Sequence, residues 1–320
     1  MKKIKVAVLG YGHLGKWHCQ KVDAHKDQAE FVAIVEKFPA AQEAAKTNHP
    51  HVKVVSDLKD IISEIDAAFI VTPTSTHFEL VKYLLENNKH VFCEKPVCSN
   101  DEEALALRKI AAGKNVIVQV GQSERFHEAW ETLKNNFAEI PSPFVAKINR
   151  VAAFKGRATD VDVVQDLGIH DLDLALYLFK DKPVSVRAYG QKIRTSKWDN
   201  VTVDVTFTNG SKAFVTIGRN HVKEIRDLEV ISKAGMIYVD LFANKFALAS
   251  NGQFSDGTFV QEQAYSKRDH LLIEHSAFYD SILSNKKSVV DLNQGLNAVH
   301  LVDCVLKSLE ENKEIKVNLG

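Results

Sequence analysis

Cysteine is scarce in this sequence: 320 residues hold four, Cys19, Cys93, Cys98 and Cys304. Their spacing fits neither a disulfide framework nor a zinc site, and His90 beside Cys93 and Cys98 does not change that. No metal is expected, and a reducing cytosol is the simplest setting. Net charge is missing as well, since 41 Lys and Arg are balanced by 41 Asp and Glu. That balance removes the electrostatic reason to expect nucleic acid or an anionic membrane as a partner. No apolar run approaches the ~20 residues a membrane helix needs. Val6–Leu9 is too short for the apolar region of a secretory signal. Repeats, low-complexity tracts and Pro/Gly/Ser-rich linkers are absent too. What remains is an ordinary globular composition, 45% hydrophobic and 26% charged. At roughly 100–200 residues per domain, it predicts a soluble, cytoplasmic chain of two domains.

The first 120 residues alternate short apolar strands with helical stretches. Strands are expected at Ile4–Leu9, Phe31–Val35, Ala67–Val71, His90–Cys93 and Val116–Val120. Apolar strands without polar alternation, separated by helices, indicate a doubly wound parallel sheet covered on both faces. The rhythm changes after Gly121. In Val201–Phe207 every second residue is apolar, which marks a sheet with one wet face. Asn209-Gly210 between two such strands is a hairpin signal. The sequence thus predicts an α/β Rossmann domain over 1–121. An α+β domain over 122–320 follows, with a large open, mostly antiparallel sheet and C-terminal helices free to pack back on the first domain.

Several segments carry chemistry. Gly10-Tyr11-Gly12-His13-Leu14-Gly15 follows a strand and opens a helix. There Gly10 permits a tight turn, Gly12 lets backbone approach a pyrophosphate, and Gly15 lets helix and strand pack closely. Glu36 ends the second strand, where a carboxylate accepts from the adenosine ribose hydroxyls and repels the 2′-phosphate of NADP. NAD is therefore the expected cofactor, with NADP the alternative because Lys37 is next in sequence. His13 and His18 are read as residues that merely line the helix, and Trp17 as a packing residue. Thr72-Pro73-Thr74…His77 and Glu94-Lys95-Pro96 lie past buried strands, where a doubly wound fold binds its ligand. Finally, Asp166 and His170 are four apart, one turn on a helix. Aspartate beside histidine makes a base and its orienter, but the same pair also suits a capping Asp and a satisfied core His. Arg125, Arg150 and Arg157 could hold an anion such as a diphosphate, or serve as ordinary structural arginines.

Taken together, Gly10–Gly15, Thr72-Pro73…His77, Glu94-Lys95-Pro96, Gly121-Gln122…Arg125-Phe126 and Asp166…His170, in this order, resemble the glucose–fructose oxidoreductase/inositol dehydrogenase/MocA family. The resemblance spans nearly the whole chain. It implies an NAD(P)-dependent dehydrogenase acting on CH–OH groups of cyclitols, sugars or nucleotide sugars. It also implies Lys95, Asp166 and His170 as catalytic residues, cofactor contacts at Thr72, Pro73, Thr74, His77, Glu94, Lys95, Pro96 and Gln122, and a substrate side that includes Arg125 and Phe126. The second domain would serve assembly into a homo-oligomer, a dimer or tetramer. Arg150–Arg157, Asp160–Asp173 and Asn209-Gly210 followed by Arg219 and Arg226 resemble a subgroup that includes UDP-N-acetylglucosamine 3-dehydrogenases. The alternatives are a cyclitol dehydrogenase, an NAD-dependent glycosidase with a retained cofactor, and a non-catalytic dinucleotide sensor.

Glu36 generates the first prediction. NAD(H) binds more tightly than NADP(H) in a fluorescence titration, and a clear preference for NADP(H) would instead make Lys37 the reader of the phosphate.

Overall fold

In the computed structural model, which describes residues 3–130, 141–250 and 261–319, the chain divides into two compact units. The first comprises Met1–Ser123 and Asp269–Val299, the second Glu124–Arg268 and His300–Gly320. Among the described residues, helices of one turn or more in α form are α1 (His13–Ala24), α2 (Pro39–Asn48), α3 (His77–Glu86), α4 (Asp101–Ala111), α5 (Ile169–Phe179), α6 (His270–Ser284) and α7 (Leu292–Glu311). None of these is long and apolar enough to cross a membrane.

The first unit is built on six strands: β1 (Ile4–Leu9), β2 (Ala29–Val35), β3 (Lys53–Val55), β4 (Ala67–Ile70), β5 (His90–Glu94) and β6 (Val118–Gly121). All pairs are parallel, in the order β3-β2-β1-β4-β5-β6. Val6–Leu9 and Ala67–Ile70 are buried without a break, as strands covered on both faces must be. Strand order reverses between β1 and β4, and a doubly wound sheet binds ligand in the crevice outside the carboxyl ends at such a point. The returning segment completes this unit. Asp269 caps α6 by accepting from the Leu272 amide. Phe278 and Tyr279 of α6 then join Phe69 and Phe92 in one buried aromatic cluster. Gly295 in α7 lies on β6, so closely that a Cβ there would come within 2.5 Å of Val120 Cγ2.

The second unit holds β7 (Val145–Val151), β8 (Pro183–Gln191), β9 (Asn200–Phe207), β10 (Lys212–Gly218), β11 (Ile225–Ser232), β12 (Gly235–Asp240), β13 (Lys245–Ser250), β14 (Gln261–Ala264) and β15 (Ile315–Lys316). They form one sheet in the order β14-β13-β12-β11-β7-β10-β9-β8-β15, antiparallel except where β7 meets β10. Alternation decides its faces. β9 buries Val201, Val203, Val205 and Phe207 on one side, and Phe179 of α5 stacks on Phe207 at 4.0 Å. Burying a side chain of this size is worth about 1.5–3 kcal/mol. The other face carries ion pairs instead, Lys147 with Glu229 and Lys212 with Asp204. Gly210 takes φ +83 in the turn between β9 and β10, as the Asn-Gly signal requires. Strands β3, β13, β14 and β15 escape the sequence reading. β3 and β15 are only three and two residues long, and they are strands because a neighbour pairs with them.

Asp199 holds a corner of this unit. Its Oδ2 accepts the backbone N–H groups of Ile193, Arg194 and Thr195 at 2.7, 2.7 and 2.9 Å. Its Oδ1 accepts Thr195 Oγ1 at 2.8 Å and Arg219 Nε at 2.7 Å. Burial alone would raise this carboxyl, but the donors outweigh it and hold the group well below the usual carboxylate range. A depressed carboxyl contributes stability above its ordinary value of ~3.9 and loses it as pH falls further. Asp199→Asn is therefore expected to cost about 2–4 kcal/mol at about pH 7 and clearly less at about pH 3. Urea unfolding at the two pH values checks this, and an equal cost at both contradicts it.

Candidate active site

The glycine loop shows why each of its glycines is needed. Gly10 has φ +96, and a Cβ there would stand 2.6 Å from the carbonyl oxygen of Val71. A Cβ on Gly15 would stand 2.2 Å from the carbonyl oxygen of Gly10. Gly12 differs: it faces open space and is the N-cap of α1, with no side chain capping the first turn. The first amides of α1 are thus left for an anion. Glu36, only 8% exposed, accepts the Tyr11 amide at 2.7 Å and the Phe38 amide at 2.9 Å. Two backbone donors aim this carboxylate and leave it acceptor capacity for a ribose. These residues fit a dinucleotide: open helix amides for its pyrophosphate and a fixed carboxylate for its ribose. His13 and Leu14 are exposed on the first turn of α1. Trp17 is 51% exposed against the His13 ring, so its expected packing role is corrected: α1 turns it outward, away from the sheet.

The next two loops are tied together. The buried ring of His77 has one nitrogen 2.7 Å from the Pro96 carbonyl oxygen and the other 2.8 Å from that of Thr72. His77 thus braces the Thr72-Pro73-Thr74 loop against Glu94-Lys95-Pro96. Thr72 Oγ1 meets Thr76 Oγ1 at 2.6 Å, tightening the first loop. Lys95, half-buried, follows β5 at a cis peptide bond to Pro96. Glu94 Oε1 lies 3.0 Å from His18 Nε2. Sequence reasoning missed this partner, because a histidine inside a helix carries no mark of what it faces. Gln122 is fully buried after β6, and its amide atoms have no hydrogen-bond partner among the described residues.

In the second unit Asp166 lies within a π-turn, Val164–Gly168, that runs directly into α5 with His170 in its first turn. The four-residue spacing therefore spans a wider turn than an α-helix provides. Gly168 is needed where the turn rests on β10, since a Cβ would stand 2.6 Å from Ile217 Cδ1. Both Asp166 and His170 are half-buried. The two acids that follow His170 were not singled out from the sequence. Asp171 takes Arg150 through two bonds, at 2.7 and 2.8 Å, and Asp173 takes Arg125 at 2.7 and 2.6 Å.

These pairs separate the expected arginines. Arg125 is enclosed, its fork committed to Asp173, beside half-buried Phe126. Arg150 and Arg157 instead line a cavity of about 200 Å³, together with Lys155, Arg219, Arg226 and Asp166. Asp171 holds Arg150 there, Asp199 holds Arg219, and buried Glu124 meets both Arg150, at 3.4 Å, and Arg226. Arg157, exposed, has no acidic partner among the described residues. A wall of fixed cations beside a carboxylate suits an anionic ligand with a polar, hydroxyl-bearing part.

Residues 4–122 match the model of the oxidoreductase family with an NAD-binding Rossmann fold, and residues 146–238 match the Gfo/Idh/MocA C-terminal domain. UDP-N-acetylglucosamine 3-dehydrogenase of Acidithiobacillus ferrooxidans is 32% identical over 299 residues, covering 91% of this chain and 92% of that protein. Inositol 2-dehydrogenase of Rhizobium meliloti is 25% identical, covering 98% and 99%. The solved structure of the Acidithiobacillus enzyme superposes with a TM-score of 0.88 at 28% identity, over 97% of this chain and 99% of that one. On these matches the chain belongs to the Gfo/Idh/MocA family of NAD-binding oxidoreductases.

Proposed function

We propose that the chain oxidises a hydroxyl-bearing carbon of a nucleotide sugar with NAD⁺, or runs the reverse reaction, and that the cationic cavity of the second unit holds the diphosphate. The reaction converts R₂CHOH and NAD⁺ to R₂C=O, NADH and H⁺. Bound NAD supplies the hydride acceptor. The first amides of α1 hold its pyrophosphate, and Glu36 its ribose. A ring nitrogen of His170 takes the hydroxyl proton, with Asp166 orienting the ring and stabilising the imidazolium, and Lys95 is the second proton-handling group. The carrying observation is the cavity itself: Arg150, Lys155, Arg157, Arg219 and Arg226 around Asp166. A neutral cyclitol offers such a wall no charge to meet, whereas a diphosphate accepts bidentate bonds from arginine. By its name, the Acidithiobacillus relative acts on UDP-N-acetylglucosamine, and that sugar nucleotide is the specific candidate here. The cyclitol reading rests on the inositol dehydrogenases among the relatives.

A thermal-shift panel of UDP-N-acetylglucosamine, other UDP-sugars and myo-inositol separates the two, since a ligand at a hundred times its dissociation constant stabilises by ~2.7 kcal/mol. UDP-sugars are expected to stabilise the protein, and Arg157→Ala to weaken them roughly 10–100-fold. Stabilisation by inositol alone overturns the diphosphate reading. On the substrate so found, Lys95→Ala and His170→Ala each lower turnover by about 10²–10⁴ while NAD binding changes little. Asp166→Asn should resemble His170→Ala. Near-normal turnover by His170→Ala would remove His170 as the base. A retained-cofactor glycosidase would turn over sugar without net NADH.

The reading extends to assembly and setting. The four cysteines are buried and form no disulfide among the described residues, which supports a reducing, cytoplasmic setting. The sheet of residues 144–249 is the proposed self-association surface of a dimer or tetramer, its polar face studded with Tyr189 and Ile231, 59% and 42% exposed. Light scattering at micromolar concentration is expected to give a multiple of 35.8 kDa; a single-chain mass contradicts it.

A further inference from the structure

Behind Glu94, in the first unit, lies a buried polar chain that the cofactor contacts do not use. His275 of α6 places Nε2 3.0 Å from His18 Nδ1, and His18 places Nε2 3.0 Å from Glu94 Oε1. Both rings are completely buried. Phe69 stacks on His275 at 4.3 Å, and His25, just past the end of α1, stacks on it too. His275 Nδ1 has no partner among the described residues.

That last atom decides where the protons are. If Glu94 were the donor, or if His18 donated from Nδ1 to His275, a neutral His275 would carry its proton on Nδ1. That would bury an N–H with nothing to receive it. A buried unpaired N–H is rarer in proteins than an under-used acceptor. The one arrangement that avoids it puts both protons on Nε2. His275 then donates to His18, His18 donates to the Glu94 carboxylate, and the leftover atom is a lone pair. Burial first, and the neighbouring basic groups after it, hold His275 well below its usual range, in keeping with a neutral ring.

A second acid borders the chain. Glu274, next to His275, is fully buried, and neither carboxyl oxygen has a partner among the described residues. Its backbone carbonyl accepts Gln119 Nε2 of β6 at 2.8 Å. Burial, reinforced by the charge of Glu94, pushes this carboxyl well above the usual range. Glu94 itself is confined over β6: a Cβ on Gly121 would stand 2.9 Å from its Oε1. The groups facing Glu94 are thus His18 from α1, Glu274 from α6 and the Cys93 thiol before it.

We propose that His275 and His18 are positioning residues of the dehydrogenase: they donate in series into Glu94 and fix one carboxylate charge immediately before Lys95. The proposal rests on the proposed role of Lys95 but can be tested without any substrate. Long-range ¹H–¹⁵N spectra of the ¹⁵N-histidine-labelled chain read the tautomer of each ring. His275 is expected as a neutral Nε2–H tautomer between about pH 6 and 8, and the neutral form of His18 as the Nε2–H tautomer. In His275→Leu, His18 is expected to lose its single tautomer, and His275→Gln, whose amide can still donate, is expected to restore it. An Nδ1–H tautomer at either ring, titration of His275 in that window, or an unchanged His18 in His275→Leu overturns the proposal. Should His275→Leu fail to fold, the wild-type spectra and His275→Gln decide. With a substrate in hand, His275→Leu should lower kcat on the order of tenfold to a hundredfold, with NAD⁺ affinity within about twofold. Equal losses in both would mark a merely structural role.

Discussion

Burial of carboxylates is the constraint on which the rest of this structure depends. A charged carboxyl removed from water must collect donors or give up its charge. Glu36 collects two backbone amides, Asp199 three amides, a hydroxyl and an arginine, and Glu94 a histidine. Asp171 and Asp173 each take both arms of an arginine. Glu274 finds no donor among the described residues, and burial pushes it well above the usual carboxylate range. In each case the donors decide which way the acid points, and the acids in turn decide which arginines face a cavity.

The two units use this rule differently. In the first, the donors are mostly backbone, because a parallel sheet ends in loops whose amides converge on the crevice. Gly10 and Gly15 make that convergence possible by letting backbone touch backbone. In the second, arginine forks join backbone amides as donors. Planar forks suit bidentate pairing, so Asp171 can hold Arg150 in a fixed place beside the cavity. Arg125 and Arg157 mark the extremes, one enclosed with Asp173 and the other exposed on the cavity rim.

Most of the architecture was legible in the chain. Uninterrupted apolar strands announced the covered parallel sheet, and period-two alternation in β9 announced the sheet with a wet face. The short strands β3 and β15 were not legible, because two or three residues carry no period and only a paired neighbour makes them strands. The return of residues 269–299 to the first unit could be anticipated only loosely. It depends on Phe278, Tyr279 and Gly295 fitting surfaces made by residues far earlier in the chain.

The same division holds at the sites. Sequence by itself determined the glycine loop, the acid that ends β2, the Glu-Lys-Pro turn and the Asp166/His170 pair. Those signals are local, written in which residues lack a Cβ, which carry a charge and how far apart they stand. Tertiary structure alone decided that His18 serves Glu94, that His77 braces two loops, that Asp166 lies in a π-turn, and that Arg125 is enclosed while Arg157 is exposed. Hydrogen-bond partners up to 257 residues apart along the chain, as His18 and His275 are, meet only after the sheet and its helices have packed. Neither the identity of such a side chain nor its spacing from its neighbours encodes which donor or acceptor it will face.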